Sequence, residues 1–107
     1  MSFSTLEQQI MLAALRLHPN AYGVSIQDLI ADKTGKSPSF GSIYAALERL
    51  EGKGYLTSRQ GEITRERGGR AKLYFTVTGQ GQTTLRQALS ELDNLRRDTG
   101  LAELPAT

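Results

Sequence analysis

A chain of 107 residues with 38% hydrophobic content and a mean hydropathy of −0.36 fits one soluble domain with a modest core, too short for a bilobed enzyme and too apolar for a disordered tail. No apolar run approaches the ~20 residues that cross a bilayer, so no membrane partner is expected, and no basic stretch followed by an apolar one opens the chain as an export signal would. The absence of cysteine removes disulfides and thiolate metal sites and suits a cytoplasmic protein, while the net charge of +2 conceals a basic stripe: residues 53–72 carry six cations against two carboxylates.

Ser4-Thr5-Leu6-Glu7 has the spacing of a capping box, so a first helix is expected from there. Leu6, Ile10, Ala13, Ala14 and Leu17 recur on one of its faces, and Met11 and Leu15 widen that face. His18-Pro19-Asn20 ends it, because a residue before proline is pushed out of the helical region. His18 is the single histidine and reads as a helix-end residue, not as a metal ligand or catalytic base.

A second helix is expected from near Ser25, with Ile26, Leu29 and Ile30 inward and Gly35 just past its end. Thr34-Gly35-Lys36-Ser37 resembles the close of a nucleotide-binding phosphate loop. The glycine that such a loop needs five positions earlier is replaced by Ile30, so that reading fails. The segment is better read as the turn into a third helix, capped by Ser39 and closed by Gly54. An exposed helix N-terminus attracts phosphate through unpaired N–H groups and the helix dipole, and here the phosphate belongs to DNA.

At 100° per residue, Phe40, Ile43, Leu47 and Leu50 of this third helix point inward, with Ala46 on the same side. Gly41, Ala45, Glu48 and Gly52 point outward, Ser42 and Arg49 flank one edge, and Tyr44 and Glu51 the other. Small residues at 41 and 45 let the helix lie close in a major groove, and Ser42, Tyr44 and Arg49 can reach phosphates or base edges. For Tyr44 the competing reading is a half-buried ring packed beside the following hairpin.

The period then changes. Tyr55–Arg59 and Leu73–Val77 are rich in β-branched and aromatic residues and read as two strands around a glycine-containing tip. Arg65, Arg67, Arg70 and Lys72, with Gly68 and Gly69 thinning the tip, can enter a minor groove or follow a phosphate strand. Thr78 caps a last helix on which Leu85, Ala88, Leu89, Leu92 and Leu95 repeat until Thr99-Gly100.

Helix, helix-turn-helix, basic hairpin and helix make an α+β chain, mostly α: a winged helix-turn-helix with an additional C-terminal dimerisation helix. Residues 1–78 form the DNA-binding domain, 79–99 the dimerisation helix and 100–107 a flexible tail. The candidate DNA contacts are Lys36, Ser37, Ser39, Gly41, Ser42, Tyr44, Ala45, Arg49, Arg65, Arg67, Gly68, Gly69, Arg70 and Lys72. The leucine stripe is too long for so small a domain to cover, so a homodimer is expected, with Leu6, Ile10, Leu85, Leu89, Leu92 and Leu95 at its interface. No nucleophile–base pair, metal cluster or catalytic carboxylate pair stands out, so no catalytic residue, metal ligand or cofactor is assigned. The alternative on these residues is a winged-helix protein-interaction module without specific DNA binding, its basic hairpin merely solvated.

From about Leu12 to Leu89 the chain resembles the PadR family of transcriptional regulators. The resemblance is carried by Y-G-V-S-I-Q-D-L-I at 22–30, by G-S-I-Y-A-A-L-E-R-L-E-G-K-G-Y-L at 41–56, by G-G-R-A-K-L-Y-F-T-V-T at 68–78, and by Gly81. It implies a homodimeric winged-helix repressor of double-stranded DNA, with the last and first helices at the dimer interface. The short last helix is similar to that of the small subfamily, some of whose members bind flat aromatic effectors at a dimer-interface pore through tryptophan. A small-molecule effector is therefore implied as a further partner, but this chain has no tryptophan to stack on it. The family commonly has proline where Phe40 and Ala45 stand, so the start of the reading helix departs from the pattern.

Overall fold

The computed structural model describes residues 3–63 and 71–101, apart from the side chains of residues 62, 63 and 71. The element order is α1 (Thr5–Leu17), α2 (Gly23–Thr34), α3 (Phe40–Gly52), β1 (Leu56–Ile63), β2 (Ala71–Val77) and α4 (Gly79–Arg96). This is the expected mostly helical winged helix-turn-helix with an extra C-terminal helix. Residues 64–70, which hold the expected wing-tip residues Arg65, Arg67, Gly68, Gly69 and Arg70, lie outside the described residues, as does the tail from residue 102 on.

Local chemistry sets the helix starts. The Ser4 hydroxyl accepts the Glu7 N–H at 3.1 Å, and the Ser4 N–H donates to Glu7 Oε1 at 2.8 Å, so the capping box closes α1. Ser39 accepts the Ser42 N–H at 3.1 Å to cap α3, and Thr78 accepts the Gly81 N–H at 2.9 Å to cap α4. α2 begins two residues before Ser25: that serine sits in its first turn and accepts the Tyr22 N–H at 2.9 Å, so it caps from inside the helix. Gly35 follows α2 at φ 74°, a left-handed conformation that costs glycine nothing.

Ile10 and Met11 of α1, Ile26 of α2, Ile43, Leu47 and Leu50 of α3, and Leu56 of β1 are fully buried and form the centre of the core. β1 and β2 pair antiparallel from Leu56↔Val77 to Gln60↔Leu73, with an irregularity between Gln60 and Ile63. Both strands run past the limits expected from sequence. α4 returns to the bundle at Gly81, where an added Cβ would meet the Tyr55 carbonyl oxygen and lie 3.0 Å from Met11 Cε. Leu85 fills the core from that helix.

Two of the expected dimer residues are therefore spent inside the chain. Ile10 is 0% exposed and Leu85 2%, so neither offers surface to a second copy. α1 is wrapped by α2, α3 and β2, and the first turns of α4 dock on that same bundle, which uses up both residues. Leu6 and Leu89 are partly buried against the core. Leu92 and Leu95 are exposed, as is every described residue from Ser90 onward, so α4 carries its apolar stripe away from the domain.

Candidate nucleic-acid interface

The turn between α2 and α3 is held by its own polar groups. Thr34 Oγ1 donates to the Ile30 carbonyl at 2.8 Å and accepts the Lys36 N–H at 3.1 Å. Gln27 Nε2 reaches from α2 to the Pro38 carbonyl at 2.8 Å. These bonds fix the turn while Lys36, Ser37 and Ser39 stay at the surface beside the N-terminus of α3. The Ser39 hydroxyl donates to Ser42 Oγ at 2.9 Å, which leaves the Ser42 proton for an acceptor outside the chain.

Gly41, Ser42, Tyr44 and Glu48 are exposed, as the helical count places them. Ala45 is exposed with them on the outward face. Phe40 is not inward. It is 43% exposed, because the first residue of a helix stands beyond the end of the core it leads into. Its ring stacks on Tyr44, with centroids 6.2 Å apart and planes 29° from parallel. Tyr44 is 45% exposed and leans on the start of α2. A Cβ at Gly23 would meet its hydroxyl and lie 2.7 Å from its Cζ, so glycine at the start of α2 is what lets the ring lie there.

Arg49, expected to face DNA, turns to α1 instead. Its Nε donates to Glu7 Oε2 at 3.2 Å, from a side chain 52% exposed to one only 5% exposed. Burial alone would push the Glu7 carboxyl up, and it is the largest single influence. The Ser4 N–H, the Arg49 hydrogen bond and the charges of Lys53 and Arg49 together outweigh it and hold Glu7 below the usual carboxylate range. Arg49 thus serves the contact between α1 and α3.

The root of the wing is fastened to the start of α2 by a ladder of rings and cations. Lys72 Nζ lies 4.4 Å from the centre of the Tyr22 ring, and Tyr22 meets Tyr74 edge-on at 5.6 Å. The Arg59 guanidinium lies 4.7 Å from the centre of the Tyr74 ring and also donates to the Pro19 carbonyl at 3.1 Å. The Phe75 N–H donates to the Ala21 carbonyl at 2.8 Å, tying β2 to the same loop. Gly61 gives Tyr74 its place, since a Cβ there would lie 2.8 Å from Cδ2 of that ring. Lys72 is thus the one expected wing contact among the described residues, and it is braced on an aromatic face. Tyr22, Arg59 and Tyr74 were not expected from the sequence to belong to this surface. The usable signal was the alternation of Lys72 and Tyr74 along one strand face, with Arg59 opposite Tyr74 in register.

Phe40 and Tyr44 on α3 thus rest toward the start of α2, the same place to which Tyr22, Tyr74, Lys72 and Arg59 fasten the wing. Residues 11–87 match the model of the transcriptional regulator PadR-like family. The chain belongs to the PadR-like family of transcriptional regulators. Among solved structures, this PadR-like chain is similar to a transcriptional regulator from Clostridium thermocellum, at 24% identity and a TM-score of 0.73, with 86% of each chain covered. It is similar to a PadR family transcriptional regulator from Eggerthella lenta, at 26% identity and a TM-score of 0.67, with 84% of this chain and 80% of that one covered. It shares its fold with Bacillus subtilis PadR in complex with operator DNA, at 21% identity and a TM-score of 0.64, over 97% of this chain and 54% of that one. No curated protein sequence matches the chain. Among the described residues, no helix of this PadR-like regulator is long and apolar enough to cross a membrane.

Proposed function

We propose that this PadR-like regulator is a sequence-specific repressor that binds an inverted-repeat DNA operator as a homodimer in the cytoplasm. The observation that carries the reading is the exposed N-terminal end of α3. There Lys36, Ser37 and Ser42 offer donors beside the Ser39 cap, while Gly41 and Ala45 leave the backbone free to approach a groove ~12 Å wide. Tyr44 stands at its edge, 45% exposed. The wing adds Lys72, and Arg65, Arg67 and Arg70, which flank Gly68 and Gly69 in the sequence, would supply further phosphate contacts. Residues 1–78 act as the DNA-binding domain and 79–99 as the dimerisation helix. Repression follows where such an operator overlaps a promoter, since a bound dimer excludes polymerase.

The exposed Leu92 and Leu95, with the partly buried Leu89 and Leu6, form the pairing surface. Twofold pairing there sets the two α3 helices into successive major grooves, ~34 Å apart. A hollow lined by Phe3, Tyr55, Gln87, Glu91, Leu92 and Leu95 shares its leucines with that surface, so a small-molecule effector seated there would disturb pairing and release the operator. The decisive experiment selects duplexes from a random pool with the purified chain, then compares wild type and Leu92→Asp in sedimentation and operator binding. The reading expects a dimeric wild type, an enriched inverted repeat, and a monomeric variant that keeps its helical circular dichroism but loses tight binding. A wild type that stays monomeric at tens of micromolar, or that enriches no sequence, overturns it.

A further inference from the structure

We infer that Phe40 reads a thymine methyl group in the operator; the inference rests on the DNA-binding role of α3 proposed above. Phenylalanine left 43% exposed at the first position of a helix is costly in water, and the core gains little from it. Its position is nevertheless fixed from behind. Phe40 stacks on Tyr44, Tyr44 lies on Gly23, and Gln27 pins the preceding turn through the Pro38 carbonyl at 2.8 Å. The ring is a braced apolar knob on the end of the helix that enters the groove.

The surroundings select the occupant. Lys36, Ser37, Ser39 and Ser42 lie in the same turn and first helical turn as the ring, and Gly41 beside it adds no side chain. Lys36, Ser37 and Ser42 thus place exposed donors suited to phosphate on the same turn and first helical turn as one apolar group, an arrangement that matches a duplex edge and not an apolar protein surface. Stacking on a base would require that base to leave the helix, whereas a duplex groove presents only base edges. Of those edges in the major groove, the thymine C5-methyl is the apolar one, and a phenylalanine edge is a suitable contact for it. Phe40 therefore sets a preference for thymine at one position of each half-site, next to the bases that Ser42 and Tyr44 approach.

The test removes that methyl and nothing else. A fluorescein-labelled duplex selected by the wild-type chain is remade with deoxyuridine in place of each thymine in turn, and binding is read by fluorescence anisotropy. At one thymine per half-site the wild type is expected to bind about fourfold more weakly, the factor for one methyl group returned to water. Phe40→Ala should lose the same factor on the thymine duplex and be indifferent to deoxyuridine at that position. Reselection with Phe40→Ala should also lose the thymine preference there. A wild type indifferent to every thymine-to-deoxyuridine change overturns the inference while leaving DNA binding intact, and needs no variant to fold. So does a Phe40→Ala chain that keeps the full sensitivity. Failure of the wild type to bind any selected duplex overturns both the inference and the DNA-binding reading beneath it.

Discussion

Replacing Glu7 by glutamine tests how α3 is held on the bundle. Glutamine keeps the size of the side chain and can still accept the Ser4 N–H, so the change removes mainly the charge facing Arg49. A hydrogen bond to a charged group contributes ~1.5–3 kcal/mol, but Arg49 is 52% exposed and regains water when the carboxylate is removed. The expected destabilisation is therefore about 1–2 kcal/mol, or a Tm lowered by about 5–10 °C for a domain of this size. The pH dependence supplies the sharper criterion. Glu7 has a folded-state pKa below its unfolded value, so its contribution is complete above the usual carboxylate range and disappears as pH falls through the lowered value. Thermal melts followed by circular dichroism should show the two proteins well separated near neutral pH and converging in acid. Equal stability at neutral pH, or a gap that widens in acid, would show that the Glu7 charge does not hold α3 on the bundle.

Replacing Arg67 and Arg70 by alanine should weaken binding to all duplexes alike and flatten log K against log salt by ~0.9 for each phosphate no longer neutralised; an unchanged slope removes the wing tip from the interface. Ser42→Ala should cost on the order of 1 kcal/mol in operator affinity, measured by anisotropy, with thermal stability unchanged, since Ser39 still caps α3. Gly23→Ala should displace the Tyr44 ring at a net cost on the order of 1 kcal/mol, because that ring is 45% exposed and alanine regains helix propensity. That cost should largely vanish in a Tyr44→Ala background, and a penalty independent of residue 44 would show that the ring is not what glycine accommodates.

What the sequence made legible was local. Ser4 with Glu7, Ser39 with Ser42, and Thr78 with Gly81 are partners three residues apart, so capping chemistry alone placed three helix starts. Ser25 misled because a serine in the first turn can serve the same N–H from inside the helix. The alternation of buried and exposed residues along α3 was legible until its first residue, where a periodic count assumes a core that does not extend to Phe40. Gly61 hid the true length of β1, since glycine weakens a strand unless an aromatic neighbour covers it, as Tyr74 does. The partners within the site were hidden for a related reason. Arg49 and Glu7 are distant in the chain, as are Tyr22 and Tyr74, and no local pattern records which cation a distant carboxylate or ring will take. The leucine stripe showed that α4 has an apolar face, but not that Leu85 would be used up in the core.

Specific operator binding by two copies of the chain is measured by a single titration. An inverted-repeat duplex recovered by selection, and a scrambled duplex of the same composition, are titrated with the wild-type chain at several salt concentrations. Two chains per operator, an affinity at least about a thousandfold above the scrambled duplex, and a steep fall with salt are expected. Equal affinity for the two duplexes, or saturation at one chain per operator, would contradict it.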